Sequence, residues 1–323
     1  RYVGSPYAVA PDRIRNGSGD PYKVFTPFWK AWTSHGWRAP AGAPDLDRLV
    51  ALESDVSLDQ YAAHGDSSDP LTSPVEFRES RWLAHLTDFV ESGLADYPED
   101  RDLLGVDGVS HLSAPLAFGQ LHPRTILAAL PQGEDASAAF ARQLAWRDFH
   151  ADVLFHHPEA QRWSLTPTHK DEAWLEDRDA DESFLAWRAG RTGFPLVDAG
   201  MRELAETGTM HNRARMVVAS FLVKDLLIPW QRGADYFRRA LIDYDHAQNQ
   251  LNWQWVAGTG RDAAPYFRIF NPTTQAKKFD PDRAYVQRWV AEVDTPAYPE
   301  PIVDHAQARE RYLASARPKG ERA

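Results

Sequence analysis

The 323-residue chain contains no cysteine, which excludes disulfide staples and thiolate metal sites. It shows no signal-peptide pattern and no apolar run long enough to span a bilayer. Repeats and low-complexity tracts are missing as well, and strand-like alternation is nearly absent, so the expected class is mainly α. These absences read as a soluble, cytoplasmic, monomeric protein. Positive charge is also short: 36 Lys and Arg stand against 46 Asp and Glu, a net charge of −10. That balance argues against indiscriminate nucleic-acid binding and confines any contact with a polyanion to a local patch.

The chain is rich in apolar and aromatic residues, 43% and 12% respectively, with 12 tryptophans. That suits one large core or two ordinary domains, and equally a protein that handles planar ligands or electrons. Residues 1–19 read as irregular, with a short strand over Tyr7–Ala10, and residues 16–21 as a turn. Residues 38–74, rich in Pro, Gly, Asp and Ser, read as a surface connection with one short helix. Helical apolar spacing covers 74–93, using Phe77, Trp82, Leu83, Leu86, Phe89 and Val90; residues 97–108 look polar and turn-like. Helices are expected again from Ser113, after Pro123, and over 136–155, 180–187, 197–205, 233–242, 283–290 and 306–316.

The densest stretch runs from Met210 to Trp255. An almost wholly apolar run, 216–228, reads as a helix buried on all faces, and Pro229 cannot continue it. Asp243, Asp245, Asn249, Trp253 and Trp255 follow closely. Buried acids need partners, and a polar planar ligand inside the core would supply them. Residues 201–290 hold 13 basic against 9 acidic residues, net +4, while the remainder carries 23 against 37, net −14. Basic groups therefore gather where the amides and aromatics sit.

The segments MHNRARMVVASFLVKDLLIPW and LIDYDHAQNQLNWQWVAGTGRDAAPYFRIFNPTTQAKKFDP resemble the flavin-binding domain of the photolyase/cryptochrome family. Their pattern is closest to that of the microbial (class I) cyclobutane pyrimidine dimer photolyases. The likeness extends from about Pro21 to about Tyr312. It implies a large helical FAD- and DNA-binding catalytic domain over 74–323, a connecting segment over 21–73, and the end of an α/β antenna domain with its linker over 1–20. Most of that antenna domain, and its pigment, would lie outside this sequence.

The resemblance also assigns residues. Tyr97 and the block Val109-Ser110-His111-Leu112-Ser113 match the flavin diphosphate loop, with Val109 and His111 standing where the family usually has Thr and Arg. Taken alone, this block is an N-cap motif. Phe140 would lie beside the flavin and Arg147 would bond its polar atoms, and Arg147 also faces DNA. Trp146 would stack on a flipped-out base, though as a bare residue it reads equally as core. Gln143 occupies a position that is usually Glu in cyclobutane-dimer enzymes. Asn212, Arg213, Arg215 and Met216 match lesion-side residues; the alternative is a helix capped by Asn212 with solvated arginines. The MHNR setting favours cyclobutane over (6-4) lesions, whose enzymes carry a His pair here.

Asp243, Tyr244, Asp245 and Asn249 match groups around the isoalloxazine and ribityl chain. A metal site of Asp243, Asp245 and His246 lacks further ligands, so no metal is expected. Trp253 and Trp230 match the inner and middle members of an electron relay. The outer place falls on Asp177 by direct spacing, or on Trp174 if residues 175–183 hold an insertion. Trp255 would face the lesion, and Arg268, Gln275, Lys277 and Lys278 the DNA strand. The implied activity is light-driven repair of cyclobutane pyrimidine dimers through reduced FAD, with Gln143, Asn212 and Asn249 closest to the chemistry. The competing readings are a cryptochrome-like photoreceptor and a flavin-free helical interaction module.

Overall fold

The computed structural model describes residues 4–42, 47, 79–166, 174–175, 177–263 and 268–315. Among them the ordered backbone is helical and contains no strand. The helices are α1 Phe25–His35, α2 Glu79–Asp88, α3 Tyr97–Asp100, α4 Ser113–Ala117, α5 Pro123–Ala129, α6 Asp135–His156, α7 Arg178–Arg188, α8 Pro195–Thr207, α9 Asn212–Ser220, α10 Trp230–Ala240, α11 His246–Ala257, α12 Pro272–Phe279, α13 Ala284–Trp289 and α14 His305–Ser315. None is long and apolar enough to cross a membrane. The helix expected in the 38–74 connection, and residues 74–78 of the helix expected over 74–93, lie outside the described residues.

Two hydrophobic clusters form the core. One gathers the N-terminal segment, α1 and α6 around Phe25, Phe28, Trp32, Phe140 and Phe149. The other gathers α8–α10 around Trp187, Val217, Phe221 and Trp230. Helix α6 packs on both α1 and α11, and α11 packs on α10, so α6 and α11 join the two halves.

Four expectations need correction. The strand at Tyr7–Ala10 is a run of bends. Val9 N–H donates to Asp148 Oδ2 (2.8 Å) and Ala8 carbonyl accepts from Arg124 Nε (2.9 Å), so side chains satisfy groups a sheet ladder would have used. The turn-like 97–108 contains α3, with Pro98 in its first turn. The apolar run does not stay α-helical: α9 passes into a π turn, Phe221–Asp225, and the chain leaves it with Leu227 left-handed at φ 55°. Its neighbour α10 starts at Trp230, three residues before Gly233, as soon as Pro229 has ended the previous element.

Burial of the run on all faces does hold, charges included. Lys224 Nζ donates to Arg268 carbonyl (2.5 Å), and Asp225 meets His305 Nδ1 (2.5 Å) while its carbonyl takes Arg311 Nη2 (2.6 Å). The two Asp225 contacts fasten α14 to the second cluster, and a buried charge without such partners would be costly.

Candidate active site

Between the two clusters lies a cavity of about 1020 Å³, at the upper end of the range for small-molecule sites. Most of the residues singled out in the sequence line it. A separate cleft of about 570 Å³ between α7, α8 and α10 contains none of them.

Helix α11 is positioned by its ends: Asp245 Oδ1 caps it by accepting from Gln248 N (3.2 Å), and Gly258, at φ 77°, ends it. The turn before it places Asp243 on the cavity. Arg215 Nη2 meets Asp243 Oδ2 at 2.7 Å and its Nε donates to Met210 carbonyl at 2.8 Å. Burial pushes the Asp243 carboxyl up, but the Arg215 charge and hydrogen bond, helped by the Ser113 hydroxyl and the Asp243 backbone N–H, outweigh that and hold it below its ordinary value. Among the described residues Asp243 Oδ1 is buried and finds no hydrogen-bond partner within bonding geometry. Asn249 spends both amide hydrogens on Ala234 carbonyl (3.0 Å) and Gln250 Oε1 (2.9 Å), which leaves its own oxygen as acceptor. Tyr244 Oη pairs with His246 Nδ1 at 2.5 Å.

The 109–113 block lines the cavity at the start of α4. Gly108 is required there, since a Cβ would stand 2.5 Å from Asp100 Cβ and 2.7 Å from its carbonyl carbon. His111 is left-handed, at φ 51°, and pairs with Asp107 (2.5 Å). No side chain caps α4, so the first-turn N–H groups of Ser113 and Ala114 have no intrahelical acceptor. Tyr97 and Phe140 meet edge to face, centroids 5.1 Å apart, beside this block.

On α6, Gln143, Trp146 and Arg147 line the cavity. Trp146 stacks on Phe25 at 3.7 Å and 10°, so one of its faces is already covered. Gln143 has only a 3.5 Å contact with Ala139 carbonyl. Arg147 is held by Pro6 carbonyl (2.7 Å), Leu116 carbonyl (3.2 Å) and Asp245 (3.3 Å).

At the start of α9 the capping alternative is overturned. His211, not Asn212, accepts from Arg213 N (3.1 Å). The arginines are not simply solvated: Arg213 pairs with Asp102 (2.7 Å) over the Phe279 ring, and Arg215 pairs with Asp243. Asn212 and Met216 line the cavity and Arg213 does not.

Trp253 and Trp255 also line it. The tryptophan in ring contact with Trp253 is Trp187, edge-on at 6.4 Å. Trp230 is fully buried and donates to Ser164 Oγ (3.2 Å); Trp174 is partly buried against the second cluster, and Asp177 caps α7. Arg268 and Lys277 are exposed and Gln275 half-buried, all off the cavity.

Sequence reasoning missed His150, Gln248, Glu203, Tyr285 and His211, all of which line the cavity. Burial pushes the His150 and His211 imidazoles down to about 4. Glu203, raised by burial, takes a short hydrogen bond from Tyr285 and one from His211 N (3.2 Å). One signal was available: His150 follows Trp146 by four residues and so shares its helix face.

Residues 140–297 match the family described as the FAD binding domain of DNA photolyase. The deoxyribodipyrimidine photo-lyase of Escherichia coli (strain K12) is 40% identical, over 95% of this chain and 70% of that protein. The crystal structure of a class III photolyase from Agrobacterium tumefaciens superposes with a TM-score of 0.79 at 35% identity, covering 96% of this chain and 71% of that one. A cryptochrome from Synechocystis sp. PCC6803 gives a TM-score of 0.66 at 35% identity, covering 73% and 55%. The chain therefore belongs to the photolyase/cryptochrome family and carries its helical FAD-binding domain. The donor set fits that cofactor: a buried carboxylate with an unsatisfied oxygen, an amide left as acceptor, and bare helix N–H groups share one cavity.

Proposed function

We propose that this protein repairs cyclobutane pyrimidine dimers in DNA under light, as a member of the class I group. The observation that carries the reading is Asp243, a buried carboxylate kept charged by Arg215 with one oxygen unsatisfied at the cavity. Reduced FAD, when bound, supplies the photoexcited electron that opens the cyclobutane ring and receives it back. Asp243 Oδ1 and Asn249 Oδ1 would accept from N–H groups of the bound cofactor, with Asp245, Tyr244 and Arg147 beside them to hold its other polar atoms. Ser110, Ser113 and the N–H groups of α4 take the diphosphate, flanked by Tyr97, Val109, His111, Leu112 and Phe140.

Trp146 and Trp255 stack on the extruded dimer, while Gln143 and Asn212 hydrogen-bond its carbonyls beside Met216. Gln143 offers an N–H at every pH but no proton to give away. Trp253, Trp230 and Trp174 form the relay toward the surface, and Arg213, Arg268, Gln275, Lys277 and Lys278 follow the DNA strand. A neutral amide at Gln143 also favours a second reading, a blue-light photoreceptor of cryptochrome type. Illumination of the flavin-loaded protein with dimer-containing DNA separates the two: loss of dimers supports repair. Bound FAD with intact dimers supports the photoreceptor, and protein that refuses FAD contradicts both.

A further inference from the structure

His150 lines the cavity and is only 5% exposed. Its Nδ1 lies 2.8 Å from Gln248 Oε1, and Gln248 Nε2 donates to Arg147 carbonyl at 3.0 Å. The amide's nitrogen is thus spent on an acceptor, so its oxygen must receive the proton on His150 Nδ1. Burial keeps the ring from taking a second proton. In that tautomer Nε2 is a bare acceptor. Among the described residues nothing donates to it.

The place of this acceptor is telling. Gln143, Trp146 and His150 fall at i, i+3 and i+7 of α6, one face of the helix, and all three line the cavity. Trp146 and His150 have ring centroids 5.4 Å apart. The face offers an amide N–H, a flat ring and, one turn further, a lone pair. A planar heterocycle carrying both a carbonyl and an N–H is the complement of such a face.

We propose that His150 Nε2 accepts the imide N3–H of the extruded thymine, which makes it a base-reading residue of the lesion cavity. The inference rests on the repair reading above. Dimerisation joins C5 and C6 of two thymines and leaves N3–H intact, so the dimer keeps the group that is read. No bond is made or broken at His150.

The test is binding in the dark by the flavin-loaded full chain. One oligonucleotide carries a single thymine dimer; the other carries the same dimer with both imide nitrogens methylated. The parent should bind the methylated dimer several-fold to tenfold more weakly, as for loss of one hydrogen bond. In His150→Leu that difference should collapse while affinity for undamaged DNA stays unchanged. His150→Gln, which restores an acceptor oxygen, should recover it. A merely structural histidine would change affinity for both dimers alike.

A parent indifferent to methylation overturns the proposal without needing any variant, and so does a Leu variant that keeps full sensitivity. FAD loss from His150→Leu with methylation sensitivity intact assigns the acceptor to the cofactor's adenine amino group and also overturns it. If the parent does not prefer dimer DNA to undamaged DNA, the repair reading fails and this inference with it.

Discussion

The two walls of the cavity are built on different physics. Along α6 stand Phe140, Gln143, Trp146 and His150, a stripe without charge held by ring packing and by the Gln248 bridge. Opposite, α9, the turn before α11 and the first turn of α11 present Arg215, Asp243, Asp245 and Asn249, each tied into an ion pair or hydrogen bonds. Even Arg147, the one ionised side chain of α6 at the cavity, leans on Asp245 of the other wall. Fixed charges suit a guest that stays, because they are aligned before it arrives. A neutral stacking surface suits a guest that must enter and leave.

Breaking the charged wall should therefore have the largest effect. Asp243→Asn leaves Arg215 half-buried without its counter-charge, at a cost of about 3 kcal/mol, the low end for a broken buried pair. Urea unfolding should record that loss, and the purified variant should carry far less FAD. Truncating the neutral wall at Gln143 to Ala should change stability by less than about 0.5 kcal/mol.

The neutral wall does have a carboxyl behind it, Asp148. Its Oδ2 accepts from Val9 N (2.8 Å) and Trp32 Nε1 (2.9 Å), while Oδ1 is unpartnered. Burial raises it from 3.8 to about 6. The folded state thus holds a proton that the unfolded chain releases. The stability this provides is fully present below about pH 4 and is lost as pH rises through about 6, on the order of 3 kcal/mol. Asp148→Asn keeps an oxygen for both donors and should flatten that part of the pH–stability curve.

Gly233→Ala sharpens the contrast at Trp253. A Cβ there would collide with the Trp253 ring and with Leu222 Cδ2 at 2.6 Å. Overpacking of this kind costs about 1–3 kcal/mol, and thermal unfolding should show it. The smallest effect is expected outside both walls: Lys277→Ala should lower the salt dependence of DNA binding by about one phosphate contact, equally for damaged and undamaged DNA.

Helix positions were legible where local rules decide them. The helices expected over 136–155 and 197–205 are found as α6 and α8, one or two residues longer at each end, and the one expected over 306–316 begins as α14 at His305. Asp243, Asp245 and Asn249 stood out because acids and an amide beside an apolar run demand partners. What stayed hidden depends on distant residues. The Tyr7–Ala10 backbone finds its acceptor on Asp148, about 140 residues away in sequence. Arg213 looks solvated until Asp102 and Phe279 are brought to it. The π turn at Phe221–Asp225 has no marker in the apolar run that contains it. His150 drew no notice in the sequence, because the partner that settles which nitrogen bears its proton, Gln248, lies about 100 residues away.

The most direct test of the division between the walls is one paired titration in the dark, of FAD and then of thymine-dimer DNA, on Asp243→Asn and Trp146→Phe. Asp243→Asn should lose FAD affinity by at least tenfold, while Trp146→Phe should keep FAD and lose preference for the dimer. Equal FAD loss in both variants, or loss of dimer preference in Asp243→Asn reconstituted with saturating FAD, would contradict that division.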